Sequence, residues 1–89
     1  MPEITVTIHH AGGLHARTAA CFVETAGRFA CTVHVRHGDR VADARSLLSL
    51  LTLGITQGSA ITLCAEGPDA DAALAALRRL VDLDSEGAA

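Results

Sequence analysis

The chain has 89 residues with seven Arg, no Lys, ten acidic residues and a formal net charge of -3, and 49% of it is hydrophobic. This length predicts one small domain over residues 1–89, and the composition argues against disorder. Membrane insertion is disfavoured because no apolar run approaches ~18 residues. Nucleic-acid binding is disfavoured because the charge is negative and only two residues are aromatic.

The first third of the chain predicts a strand followed by a helix. Residues 3–9 alternate strictly between apolar and polar side chains, which is the pattern of a half-buried strand. After Gly12 and Gly13, residues 16–27 place apolar side chains at helical spacing, with Gly27 at the predicted end. The residues expected to face the core are Ile4, Val6, Ile8, Ala19, Phe22, Val23 and Ala26.

The middle of the chain predicts a hairpin and a short helix. Residues 31–36 alternate again, and the Gly38-Asp39 pair predicts a turn into a return strand over 40–43. Ser46 then precedes a leucine-rich stretch, which predicts a short helix with Ser46 as its N-cap.

The last third predicts a strand and the longest helix. Residues 60–66 alternate, and Asp69 in the following turn is expected to be the N-cap of the helix. The tail after about residue 84 is expected to be flexible. The element order predicts an α+β domain, with helices on one side of an antiparallel sheet and water on the other.

The segment 12–17 carries the residues with the clearest chemistry. His15 lies where the loop becomes a helix, so it is next to backbone N–H groups that lack intrahelical partners. Such a place attracts phosphate and favours a neutral imidazole. Arg17 adds a cation that can bind phosphate oxygens. The pattern therefore predicts a phosphoryl acceptor at His15, with Arg17 and the backbone of Ala16, Arg17 and Thr18 binding the phosphate.

The features that are missing from the sequence narrow this prediction. There is no glycine loop followed by Lys-Ser/Thr and no acidic cluster for Mg²⁺, so no cofactor is expected. The chain would receive the phosphoryl group from a partner and pass it to another. On pattern alone, a His at a helix start is more often a cap or a solvated loop residue, and that alternative stays open.

Further landmarks accompany this segment. They are the Gly-Leu-His-Ala-Arg run at 13–17, Phe22-Val23, Ser46, Leu53-Gly54, Gly58, Gly67, Asp69 and Ala73-Leu74. Over residues 3–82 the chain resembles the HPr family, the histidine-containing phosphocarriers of the bacterial sugar phosphotransferase system. The resemblance implies an open-faced β-sandwich, in which three helices cover one face of a four-stranded antiparallel sheet in the order βαββαβα.

The resemblance also implies partners. His15 would accept phosphate on Nδ1 from enzyme I, assisted by Arg17, and donate it to EIIA components. Ser46 matches a position that HPr kinase/phosphorylase modifies in some members, although N-capping alone explains a Ser here. A nitrogen-branch or regulatory paralogue that acts mainly by protein binding is the alternative function. The family usually has Pro where this chain has Thr18, whose hydroxyl is a further candidate donor near the phosphate.

The leucines of the short helix exceed what its buried side needs. We expect Leu50 to enter the core, and Leu47, Leu48 and Leu51 to form with Ala20 the patch on which this family docks its partners. The chain itself is expected to be a monomer.

The histidine and cysteine spacings predict no metal site. His34 and His37 form only an HxxH pair, so the histidines are expected to be solvated, with His9 and His34 facing water. Cys31 reads as a core residue and Cys64 as an exposed thiol. Three cysteines without a secretory signal predict free thiols and a cytoplasmic location.

Overall fold

The computed structural model describes residues 2–9, 12–14 and 16–87, with side chains described as far as Asp82. In these ranges the elements follow the predicted order. They are β1 (Glu3–Thr7), α1 (Ala16–Ala26), β2 (Thr32–His37), β3 (Arg40–Asp43), α2 (Leu47–Thr52), β4 (Ala60–Glu66) and α3 (Ala70–Gly87). None of the described helices combines the length and the apolar character that a bilayer crossing requires.

The strands form one antiparallel sheet in the spatial order β1-β4-β2-β3. β4 is central because it pairs with both β1 and β2. The register sets Val6 opposite Ile61 and Val35 opposite Leu63, so the apolar positions of neighbouring strands share one face. On this face α3 packs against β1, β2 and β4, α2 packs against β3, and α1 packs against the other two helices. The predicted open-faced β-sandwich is confirmed.

The core lies between the apolar sheet face and the helices. Its largest fully buried side chains come from both layers and are Phe22, Leu50, Ile61, Leu63, Leu77, Val33 and Val35. Each such burial stabilises the fold by about 1.5–3 kcal/mol. The apolar residues that alternate in the strands and those that recur at helical spacing in α1 and α3 therefore pack together in one cluster.

The observed bounds differ from the predicted ones by a few residues. β1 ends at Thr7, two residues before the predicted end, and the Ile8 N–H beyond it donates to the Ser59 carbonyl. Ile8 is nevertheless buried as predicted, whereas Ile4 and Val23 are only partly buried. β3 and β4 have the predicted bounds.

The start of α3 has the predicted N-cap residue and one contact that was not predicted. Asp69 directly precedes the helix, and its carbonyl accepts the Ala73 N–H at 2.9 Å, as that of an N-cap residue does. Its carboxylate Oδ2 accepts the N–H of Ala30 at 2.8 Å. This bond ties the start of α3 to the loop between α1 and β2, which the local turn pattern could not reveal. The helical backbone continues to Gly87. A flexible tail and a single domain over the whole chain stay predictions.

The face of the sheet that no helix covers is polar. We name as the open sheet face the residues Glu3, Thr5, Thr62, Cys64, His34, Arg36 and Val41, which the strand register places on that side. Thr5 Oγ1 lies 3.2 Å from Thr62 Oγ1, and the Cys64 thiol donates to a Glu3 carboxylate oxygen at 3.4 Å. Partial burial, together with the hydrogen bond and charge of Glu3, raises the pKa of the Cys64 thiol.

Candidate functional site

A glycine shapes the loop that leads into α1. Gly13 has a φ of +65°, in the left-handed region that glycine adopts readily. A Cβ here would lie 2.3 Å from the Ile55 carbonyl oxygen and 2.7 Å from the Thr56 Cα, so no other residue fits without a shift. The next residue, Leu14, is buried, and its N–H donates to the Ile55 carbonyl at 3.2 Å. Gly13 is therefore required by the close approach of the chain to Ile55 ahead of α1.

The other end of this loop is also bonded to the chain beyond α2. Ile8 donates its N–H to the Ser59 carbonyl at 2.9 Å and accepts the Gly58 N–H at 2.7 Å. We call the described residues 8–9 and 12–14 the site loop and residues 55–59 the supporting loop. Because bonds to the supporting loop hold the site loop at both ends, residues 55–59 fix where α1 begins. The sequence motifs drew attention to Gly58 but not to this role.

The start of α1 has an unbalanced positive charge. α1 begins at Ala16, and its first turn contains Arg17 and no acidic residue. Arg17 is exposed, and among the described residues no acceptor binds its guanidinium. Since the helix dipole is also positive here, an anion would be stabilised at this end. His15 lies outside the described residues, so its role as phosphoryl acceptor stays a prediction.

Thr18 is buried near the start of α1, with 5% of its area exposed. It has an interaction partner in the folded chain, and the role of its hydroxyl as a donor near the phosphate stays a prediction. The predicted binding of phosphate by the backbone of Ala16, Arg17 and Thr18 stays a prediction.

α2 exposes three of its leucines. Leu48 is 75%, Leu47 39% and Leu51 38% exposed, whereas Leu50 is buried. Ala20 is exposed on α1, which packs against α2. The predicted division between core and surface is confirmed. We call Ala20, Leu47, Leu48 and Leu51 the apolar patch, and its role in docking stays a prediction.

Ser46 is the N-cap of α2, as predicted. Its Oγ accepts the Ser49 N–H at 3.3 Å and donates to the Ser49 Oγ at 2.9 Å. The neighbouring Arg45 donates to the carbonyls of Phe29 and Cys31 at 3.0 and 2.9 Å, which joins this turn to the loop between α1 and β2. The cap accounts for Ser46 structurally, and its phosphorylation stays a prediction.

The histidines divide into two kinds. His9 and His34 are exposed, as predicted. His37 was expected to be solvated as well, but it is half-buried and its Nδ1 lies 3.1 Å from the Leu53 carbonyl oxygen. The HxxH spacing gave no signal of this contact, because α2 approaches the hairpin only in the folded chain. In the described part of the chain, no three His, Cys, Asp or Glu side chains are placed to hold a metal ion.

The three cysteines are free thiols. Cys31 is buried, as predicted, and Cys21 is exposed on α1. Cys64 was predicted to be an exposed thiol and is half-buried on the open sheet face, where Glu3 accepts its hydrogen bond. The raised pKa of the Cys64 thiol makes it a poor nucleophile at neutral pH.

Comparison with known protein families identifies one family whose model matches the chain. The model of the phosphotransferase-system HPr component, described by its phosphorylation site, matches residues 2–82. The chain belongs to the HPr family. As a member of this family it is a phosphocarrier of the phosphotransferase system and not a catalyst by itself.

Individual relatives are similar over most of the chain. The chain is 40% identical to the phosphocarrier protein HPr of Pseudomonas aeruginosa over 83 residues, which are 92% of either chain. It is 49% identical over 76 residues to a multiphosphoryl transfer protein of Xanthomonas campestris pv. campestris, which is 85% of this chain but only 9% of that protein. The crystal structure of HPr-C-His from Thermoanaerobacter tengcongensis superposes with a TM-score of 0.91 at 37% identity, covering 97% of both chains.

Proposed function

We propose that this chain accepts a phosphoryl group on His15 from enzyme I and passes it to EIIA components during sugar uptake. The observation that carries the proposal is the start of α1, where the exposed Arg17 has no acidic neighbour in the first turn. Its guanidinium and the positive end of the helix dipole would both stabilise a phosphoryl dianion next to residue 15.

The transfer needs little beyond positioning and charge stabilisation. A neutral ring nitrogen of His15 bonds to phosphorus as the bond between phosphorus and the donor breaks. Arg17 and the N–H groups at the start of α1 stabilise the negative charge on the phosphoryl oxygens. In the second transfer the nitrogen–phosphorus bond breaks as the acceptor on EIIA bonds to phosphorus.

The apolar patch would receive both partners in turn. Leu48 is exposed over 75% of its area on a six-residue helix that packs against α1, which places apolar surface beside the helix that begins after His15. Exposed apolar side chains on neighbouring helices are typical of protein-protein sites. The chain would act as a monomer in the cytoplasm, where its three thiols stay reduced.

Phosphorylation of Ser46 by HPr kinase/phosphorylase is the regulatory part of the proposal. The modified group would lie at the N-terminus of α2, where a dianion is tolerated. Incubation with that kinase and ATP, followed by mass spectrometry, tests this point. An unmodified Ser46 would leave only its capping role.

The decisive experiment is phosphorylation in solution. The chain is incubated with phosphoenolpyruvate and enzyme I, and its mass is measured before and after acid treatment. We expect one acid-labile phosphate, absent in His15→Ala and slower to form in Arg17→Met, which then moves to EIIA. Absence of any phosphate would favour a paralogue that acts by binding. A phosphate that forms but does not reach a sugar-branch EIIA would favour the nitrogen branch.

A further inference from the structure

The carbonyl groups at the end of α2 all have partners. The last four carbonyls of a helix lack N–H donors within it, so their partners must come from elsewhere. The carbonyls of Ser49, Leu50 and Leu51 are bonded locally. Their donors are the Thr52 hydroxyl, the Leu53 N–H and the Gly54 N–H.

The next two carbonyls are bonded by side chains of the β2–β3 hairpin. Arg40 Nη1 donates to the Thr52 carbonyl at 3.0 Å, and His37 Nδ1 lies 3.1 Å from the Leu53 carbonyl oxygen. Because a carbonyl oxygen can only accept, this contact is a hydrogen bond only with the proton on Nδ1. Side chains of the hairpin thereby cap the C-terminus of α2.

This end of α2 leads directly into the supporting loop. Leu53 and Ile55 are both buried, and only Gly54 separates them. The Ile55 carbonyl accepts the Leu14 N–H and lies against Gly13. The Leu53 carbonyl therefore lies two residues before the carbonyl that is bonded to the backbone preceding His15.

We propose that His37 and Arg40 are positioning residues for phosphoryl transfer. By bonding the last carbonyls of α2, they hold the supporting loop, and the supporting loop holds the site loop that leads into α1. The inference rests on the proposed function, because it takes His15 as the acceptor. The two residues act through the backbone of Thr52 and Leu53 and not on the phosphoryl group.

The test uses His37→Ala and Arg40→Met in the full chain. The matched controls are His34→Ala and Arg36→Met, which remove the same side-chain types from exposed positions of β2 on the open sheet face. Hydrogen exchange of the Leu14 amide reports the bond to Ile55, and steady-state phosphorylation by enzyme I reports kcat and KM for the chain. The imidazole ¹⁵N spectrum of His37 locates its proton.

In both test variants, the Leu14 amide should exchange about fivefold faster, the factor that loss of one ordinary hydrogen bond gives. The kcat should fall by a similar factor with less change in KM, since the apolar patch is intact. The controls should match the unaltered chain. His37→Asn should restore both readouts, because its amide nitrogen can donate from nearly the same place as Nδ1, whereas His37→Gln should not.

Several outcomes would overturn the inference. These are unchanged Leu14 exchange in folded test variants, a lower melting temperature with unchanged kcat, or a His37 proton on Nε2 alone. If His37→Ala does not fold, equal behaviour of the Asn and Gln variants would also overturn it. Should the unaltered chain not be phosphorylated, the proposed function fails, while Leu14 exchange still decides whether the hairpin holds the site loop.

Discussion

Leucine side chains are exposed on α2, whereas threonine, glutamate, cysteine, histidine and arginine predominate on the open sheet face. Two pairs of polar side chains on the open sheet face bond to each other, Thr5 with Thr62 and Cys64 with Glu3. On the helical side, Leu48 is mostly exposed and the guanidinium of Arg17 has no acceptor among the described residues.

This difference between the two sides indicates which of them is suited to bind a partner. Groups that satisfy each other within the chain gain little from a partner, whereas exposed apolar area and an unbalanced cation gain from one. The helical side therefore has the properties of an interaction surface. The open sheet face has less of this property, because among its described residues only Val41 is a large exposed apolar side chain.

The largest expected effect is a loss of stability caused by a substitution in the site loop. In Gly13→Ala, the left-handed strain of about 1–2 kcal/mol adds to crowding against Ile55 that costs about 1–3 kcal/mol. Gly38→Ala has the same positive φ but no atom within 4 Å of the added Cβ, so it should cost the strain alone. Urea unfolding measures both variants. Equal losses of stability would show that contact with Ile55 does not matter.

The next prediction compares apolar residues on the two sides directly. Leu47→Glu should raise the KM of enzyme I for the chain by about tenfold, the size expected for an interface residue of moderate importance. Val41→Glu is the control, because Val41 is 60% exposed on β3 and lies on the open sheet face. Equal kinetics in both variants would contradict the assignment of docking to the apolar patch. Thermal unfolding checks that both remain folded.

A smaller effect concerns the thiol on the open sheet face. The pKa of Cys64 is raised, so at a pH below the usual thiol pKa of about 8.5 its thiolate is scarcer than that of an unperturbed cysteine. Glu3→Gln removes the carboxylate charge, lowers the pKa of Cys64 and should speed its alkylation. Burial, the larger cause, remains, so the pKa stays above the ordinary value.

Peptide mapping after treatment with iodoacetamide measures this rate at Cys64 separately from Cys21 and Cys31. Phosphorylation kinetics should not change in Glu3→Gln. An unaltered alkylation rate over the whole pH range would show that Glu3 does not influence the thiol.

The smallest expected effect is the loss of one hydrogen bond on the open sheet face. Thr5→Val keeps the shape of the side chain and removes its hydrogen bond to Thr62. This bond is exposed to solvent. Stability should stay within about 0.5 kcal/mol, and phosphorylation should be unaffected. Thr62→Val and the double variant complete a thermodynamic cycle. A coupling well above this value would mean that the open sheet face stabilises the fold more than its exposure suggests.

Much of the fold could be predicted because the signals are local. The alternation over residues 60–66 predicts β4 with its observed bounds, and Ser46 ahead of the leucines predicts the N-cap of α2. The same reasoning separates Leu50 from the exposed leucines, since a short helix buries only one side. At the site, Gly13 and Arg17 were singled out by type and spacing alone.

The sequence by itself therefore determined the elements, their order, most of the buried residues and a charged helix start at Arg17, because each depends on residues a few positions apart. Only the tertiary structure decided which distant parts of the chain contact one another. Gly13 packs on Ile55, Asp69 bonds Ala30 and His37 bonds Leu53. These contacts join elements through the packing of helices on the sheet, so no local pattern of side chains could specify them.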